Sequence, residues 1–339
     1  PFVEQFEQKF AKIVGRKNAV AVTNGSAALE IAVHALGIKK GDEVILPTFT
    51  IISCVAPLIR IGAIPVLIDA DPLTWNMDVN QIDERINSRT RAIMAVHIYG
   101  LSVDMDPLLS LAKRHGLMVI EDAAEAQGLY YKDRACGSFG DISTFSFYPN
   151  KLITTGEGGM VVTDNDAIAE KCRSLRNLYF QKDKRFVHDE LGWNFRMTNI
   201  QAALGLAQIE RLDEFIKKKR SMGKKYTALL SGLENIQLPL VRTDYAENIY
   251  WVYSLILDDK LSENAETIME KLKQCGIGTR PFFSPMHQQP VFKKMGLFKN
   301  ESFPVAERIS QKGFYIPSGL ALTNSEINRV SKELWSILN

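Results

Sequence analysis

Short apolar runs alternate with amphipathic stretches over the first two-thirds of the chain. The runs NAVAVT (18–23), EVILP (43–47), IPVLIDAD (64–71), RAIMAVHIYG (91–100), LMVIEDAA (117–124), STFSF (143–147) and GMVVTD (159–164) are strand-length and nearly continuous in hydrophobic residues, the pattern of strands buried on both faces. Between them, SAALEIAVHALG (26–37) and MDPLLSLAKRHG (105–116) carry helical signals. Ser26 is placed to cap the first, and the second ends on glycine. The alternation predicts an α/β fold with a mostly parallel, seven-stranded sheet flanked by helices.

After Thr198 the pattern changes to one long helical run, 198–233, then to YWVYSLIL (250–257) as strand and NAETIMEKLKQCG (264–276) as helix. This predicts a large domain over residues 1–235 and a smaller C-terminal α/β domain over 236–339, with no internal repeat or flexible linker. The chain opens at Pro1 directly in the helical pattern FVEQFEQKFAKIVG, so further N-terminal sequence is expected ahead of it.

Composition narrows the function classes. Forty-one basic against 39 acidic side chains leave a net charge of +2, too balanced for nucleic acid or an anionic membrane as the main partner. The one dense basic run, Lys217 to Arg220, sits in the helical stretch and reads as a solvated face. Cys54, Cys136, Cys172 and Cys275 form no metal or disulfide spacing and read as packing residues in a reducing compartment. No apolar segment approaches the roughly 20 residues that cross a bilayer. A cytoplasmic protein without a metal is expected.

Ligands of open α/β sheets bind beyond the carboxyl ends of the strands, and three stretches fall there. In TNGSAALE (23–30), Gly25 permits a tight turn and the helix opening at Ser26 offers backbone N–H groups to an anion. A plain capped strand-to-helix turn looks the same. In VIEDAAEAQG (119–128), Glu121 and Asp122 follow an apolar run, and a carboxylate there needs a metal, a helix N-terminus, an arginine or a cationic ring nitrogen as partner. Structural capping is the plainer role. In TFSFYPNKLITTGEGG (144–159), Lys151 stands between a strand end and a glycine-rich loop, where lost solvation favours the neutral, nucleophilic amine. An exposed loop lysine is the alternative. A phosphate seat, an acid for a ring nitrogen and an amine for an aldehyde together are what pyridoxal phosphate requires. The Walker pattern GxxxxGK[ST] is absent, and GEGG is not GxGxxG.

EDAAEAQG, GSFGDISTFSFYPNKLITTGEGGMVVTD and GWNFRMTNIQAALGLAQIERLD resemble the DegT/DnrJ/EryC1/StrS sugar aminotransferases, which have the fold type I architecture. The resemblance spans essentially the whole chain. It implies that Lys151 carries the cofactor's aldehyde and acts as general base. Asp122 would hold the pyridine nitrogen, Glu125 would neighbour the phenolic oxygen, and Gly25, Ser26 and Ser146 would hold the phosphate. Asn194 resembles the residue that reaches the phosphate across a homodimer interface. Ile51 falls where many relatives stack an aromatic ring on the pyridine; either aliphatic packing substitutes or Phe49 takes that place. His97, His188, Arg196, Arg280 and His287 are the substrate-contact candidates, while His34 and His115 read as structural. Lysine rather than histidine at position 151 implies transamination rather than sugar dehydration. A non-catalytic regulator would need a DNA-binding pattern that the sequence lacks. L-Glutamate and a keto sugar are the implied substrates. HIYGLSVDMDPLL and NFRMTNIQAALGLAQIERLD most resemble the branch that aminates GDP-4-keto-6-deoxymannose, with UDP- or dTDP-linked and carrier-free keto sugars as alternatives.

Overall fold

The computed structural model describes residues 1–180 and 186–338. Its strands are β1 (Asn18–Val22), β2 (Glu43–Pro47), β3 (Ile64–Ile68), β4 (Thr90–Val96), β5 (Met118–Asp122), β6 (Tyr130–Tyr131), β7 (Arg134–Ala135), β8 (Ile142–Ser146), β9 (Gly159–Thr163), β10 (Ile236–Gln237), β11 (Tyr253–Leu257), β12 (Arg280–Pro281) and β13 (Gly313–Ile316). Seven of them form one sheet in the order β1-β9-β8-β5-β4-β2-β3. The pairs β2–β3, β2–β4, β4–β5 and β5–β8 are parallel, and β9 alone runs against its neighbours β1 and β8. The glycine-rich connection between β8 and β9 holds no helix to carry the chain back across the sheet, so these two strands pair as a hairpin.

All seven strand-like runs are therefore strands of one sheet, but several stop short of the apolar run. RAIMAVHIYG leaves the sheet at Val96 and LMVIEDAA at Asp122. Beyond those points side chains and loops take over the backbone partners: Ile98 N–H donates to Asn76 Oδ1 and Tyr99 N–H to Glu125 Oε2.

Both faces of the sheet are covered, as the near-continuous hydrophobic strands require. One face packs on the helix Gly25–Ala35, with Ala28, Ile31 and Ala32 fully buried, and the other on Phe2–Val14 and Asn199–Ile209, where Phe6 meets Gly205. A third core, including Tyr253, Leu255, Phe314 and Leu334, surrounds the second sheet, β10-β11-β13-β12.

The long helical run is two helices, Asn199–Ile209 and Leu212–Leu230. The break at Arg211 (φ −110°, ψ 11°) leaves the apolar spacing on either side intact, so the sequence shows no sign of it. Thr198 and Gln201 close the first helix with a reciprocal capping box. The basic run in the second helix is not a uniformly solvated face. Lys217 and Lys218 are exposed, whereas Lys219 is buried and donates to the carbonyls of Trp251 (2.7 Å) and Ser318. Burial brings the Lys219 ammonium down to about 7. Among the described residues no helix is long and apolar enough to cross a membrane.

Candidate active site

The carboxyl ends of β2, β4, β5 and β8 converge on one cavity of about 510 Å³. Gly25, Ser26, Ile51, Asp122, Glu125, Ser146 and Lys151 all line it. At one end the chain leaves β1 into the helix Gly25–Ala35. The cap of that helix is Asn24, whose side chain accepts from the N–H of Ala27 at 2.8 Å, and not Ser26. Freed from capping, the Ser26 hydroxyl bonds that of Ser53 at 2.7 Å on the cavity wall. First-turn N–H groups have no partner within a helix; Asn24 takes that of Ala27, while Gly25 and Ser26 line the cavity beside two hydroxyls. Glycine at position 25 is required by packing, because a Cβ there would lie 2.8 Å from Ser146 Cβ.

Asp122 ends β5 and is 3% exposed. Its Oδ1 accepts from the N–H of Ala124 (3.0 Å) and its Oδ2 from the thiol of Cys54 (3.2 Å). The same sulfur lies 3.2 Å from the Thr50 hydroxyl. Cys54 is thus more than packing: it is a donor to the buried acid, and burial with the Asp122 charge keeps its thiol far above the usual range. The neighbouring carboxylate, Glu121, points the other way. It accepts from Gly137 N–H, Phe139 N–H, Gly140 N–H, Ser143 Oγ and His97 Nε2. Burial would raise it, but the His97 and backbone bonds hold it down at about 2. Glu121 therefore has the plainer role, tying down a loop.

Lys151 follows the bend at Tyr148, where its N–H donates to the Tyr148 carbonyl. Its Nζ lies 3.7 Å from Glu125 Oε1 and 4.0 Å from the centre of the Trp251 ring. Burial lifts Glu125 to about 7 against the pull of Lys151 and the Tyr99 N–H. Gln127 straps the bend from below. Its Oε1 accepts from Ile153 N–H at 2.6 Å and its Nε2 donates to the Ser146 carbonyl at 2.7 Å.

Ile51, half-exposed, faces the cavity, while Phe49 is buried among Tyr99, Phe282 and Phe283. Of the two, Ile51 and not Phe49 lines the cavity.

The substrate candidates fare differently. His97 contributes to the wall, but its ring is fully buried: Nε2 meets Glu121 and Nδ1 accepts from Val103 N–H. Neither nitrogen is left for a ligand. His287 is likewise a peg, with Nδ1 on Thr48 Oγ1 (2.8 Å) and Nε2 on Glu307 (3.0 Å), and burial lowers its pKa. His188 donates to the Leu178 carbonyl on an exposed segment, away from the cavity. Arg196 and Asn194 bond each other at the outer edge of β1, and Asn194 is exposed. Arg280 lines a second cavity of about 830 Å³ that shares Lys151, Trp251 and Tyr315 with the first. Cys54, Ser53, Gln127 and Trp251 escaped the sequence reading. For Gln127 the signal was its place within EDAAEAQG; Cys54 and Trp251 carried none.

The donor set fits pyridoxal phosphate. A cradle of N–H groups and hydroxyls whose glycine leaves no room for a side chain suits a phosphate. A buried acid at the far end suits a ring N–H, and an amine between them suits an aldehyde. Among the described residues no His, Cys, Asp and Glu cluster could hold a metal.

Comparison with known proteins agrees with this geometry. Residues 1–335 match the DegT/DnrJ/EryC1/StrS aminotransferase family. The chain is 42% identical over 338 residues to a GDP-perosamine synthase of Caulobacter vibrioides, covering 99% of this chain and 90% of the relative. It is 41% identical over 326 residues to one from Escherichia coli O157:H7, covering 96% and 87%. Among solved structures, Streptomyces venezuelae DesV, crystallised with a ketimine intermediate, superposes with a TM-score of 0.92 at 32% identity, covering 99% of this chain and 89% of that one.

Proposed function

The chain belongs to the DegT/DnrJ/EryC1/StrS aminotransferase family and is a pyridoxal phosphate-dependent sugar aminotransferase, and from that premise we propose that it moves the amino group of L-glutamate to carbon 4 of GDP-4-keto-6-deoxy-D-mannose, giving GDP-perosamine for a surface polysaccharide. The observation that carries the chemistry is the meeting of Lys151, Asp122 and Gly25 around one cavity. The choice of sugar rests on GDP-perosamine synthases matching 96% or more of the chain at 40–42% identity.

Bound in this cavity, pyridoxal phosphate supplies an electron sink and a temporary store for the amino group. Gly25, Ser26 and Ser146 would hold the phosphate, and Asp122 would keep a proton on the ring nitrogen. Cys54 and the Ala124 N–H keep that carboxylate aimed. Ile51, on the cavity wall, would cover one face of the ring with aliphatic surface. Lys151 would be the amine for the aldehyde and the base for the proton that leaves Cα of glutamate. Glu125, beside it and lifted to about 7 by burial, would neighbour the phenolic oxygen, where a carboxyl poised near neutrality could hold or release a proton.

The working unit we propose is a cytoplasmic homodimer. Asn194 is exposed on its own subunit, and the strongly exposed Leu191 and Ile200 flank it along the chain. A second copy would cover this apolar edge and receive Asn194 at its phosphate seat. Arg280, in the cavity beyond Lys151, is the remaining substrate contact; Arg196, bonded to Asn194, orients it.

A panel of keto sugars assayed with glutamate tests the reading: GDP-4-keto-6-deoxymannose should yield 2-oxoglutarate and a 4-amino sugar. Turnover only with UDP-linked, dTDP-linked or carrier-free keto sugars would reassign the substrate and leave the aminotransferase standing.

A further inference from the structure

Trp251 stands outside the sequence motifs, in the segment that leads into β11, yet two of its groups converge on the lysine bend and a third anchors it from behind. The face of its indole lies 4.0 Å from Lys151 Nζ. Its Nε1–H donates to the Asn150 carbonyl at 2.9 Å, the peptide immediately ahead of Lys151. Its own carbonyl accepts from buried Lys219 at 2.7 Å, which fixes the segment from the opposite side.

The backbone around it is built for this placement. Tyr250 adopts a left-handed φ of 51°, and its N–H is held by Asn248 Oδ1 at 2.6 Å. Gly100 lets the segment close on the loop after β4, since a Cβ there would meet Trp251 N at 2.6 Å. The tryptophan is 5% exposed, and it forms, with Lys151 and Tyr315, the partition between the two cavities.

We propose that Trp251 is the positioning residue of the proton-carrying lysine: the indole N–H clamps the peptide ahead of Lys151, and the ring face holds the amine between its two proton transfers. The proposal rests on the transamination reading. The amine that takes the α-proton breaks a C–H bond and becomes an ammonium, and it returns the same proton to the cofactor's former aldehyde carbon, so charge and atoms balance. An aromatic face favours a cation over it, so the ammonium stays within reach of both carbons rather than turning toward Glu125 or into the second cavity.

Trp251→Phe keeps a ring face and loses the clamp; Trp251→Leu loses both. Two readouts decide. First, capture of pyridoxal phosphate by the cofactor-free protein, followed by absorbance and by borohydride fixation on Lys151, should slow by roughly tenfold in Trp251→Phe and more in Trp251→Leu, the size of one lost hydrogen bond and then a cation–π contact. Second, in a single turnover with glutamate the amino transfer should slow similarly, the isotope effect with α-deuterated glutamate should rise, and the KM for glutamate should hold. Unchanged capture rates overturn the proposal, and so does slowing in step with a fall in melting temperature at an unchanged isotope effect. If the wild type takes no amino group from glutamate, the transamination reading has failed, and the capture rate still judges Trp251.

Discussion

Lys151 Nζ and Glu125 Oε1 lie 3.7 Å apart at the centre of the cavity, both nearly buried. An amine and a carboxyl group at that distance share whatever charge the site can solvate, and the burden falls on the carboxyl group. Burial lifts it to about 7, with Lys151 restraining the rise.

A pH dependence follows with a definite sign. In the folded chain Glu125 keeps its proton to about 7, whereas an unfolded glutamate releases it near 4.5. Between those values the native state binds more protons, so stability present below pH 4.5 is lost as pH rises through 7. Glu125→Gln should remove this loss. Urea unfolding of the cofactor-free protein at pH 4.5 and 8 should show the wild type falling by up to about 3 kcal/mol relative to the variant. An equal difference at both pH values would contradict the raised carboxyl.

Lys151→Ala removes the only lysine among the described residues that lines the cavity. The purified variant should bind pyridoxal phosphate without fixing it: borohydride leaves no covalent adduct, and amino transfer from glutamate stops. An adduct of wild-type yield at another lysine would move the assignment.

Asp122→Asn exchanges an acceptor for a group that cannot hold the ring nitrogen's proton by charge. The remaining oxygen still accepts from Ala124 N–H, with the amide nitrogen turned to the Cys54 sulfur, so the fold should survive. The amino-transfer rate should fall by about a hundredfold or more, in the range of a lost preorganised electrostatic contact. A deazapyridoxal analogue, which has no ring nitrogen, should react equally slowly with variant and wild type.

The sheet was legible because its strands are buried on both faces and spell themselves out as apolar runs. Their ends were not, since the chain leaves the sheet at Val96 and Asp122 while its residues remain apolar. The site was readable where one short motif sets both a strand end and its chemistry, as at Asp122 and Lys151. It was not readable at Trp251, which reaches Lys151 from 100 residues away. The histidines misled for a related reason. His97 lines the cavity and His287 does not, but what each does depends on partners such as Glu121 and Glu307 that no local pattern names.

Gly25→Ala tests the phosphate seat. The new Cβ would lie 2.8 Å from Ser146 Cβ, so either the helix start or the end of β8 must shift. Overpacking of this kind costs about 1–3 kcal/mol. Because the strain falls on the seat itself, it should appear as a weaker hold on the cofactor, roughly tenfold or more in Kd by absorbance titration. An unchanged Kd with a lowered melting temperature would place the phosphate elsewhere.

His97→Leu separates a structural peg from a substrate contact. The imidazole gives Glu121 one of its donors and takes the Val103 N–H. Leucine fills much of the space but leaves that N–H, and part of a carboxylate with 0% exposure, without a partner. Glu121 keeps the Gly137, Phe139 and Gly140 N–H bonds, so the loop should remain in place at a cost of about 1–3 kcal/mol. Thermal unfolding should therefore occur several degrees lower, with the KM for the keto sugar and the absorbance of the bound cofactor unchanged. A histidine that touched substrate would behave in the opposite way: KM would climb while the melting temperature held.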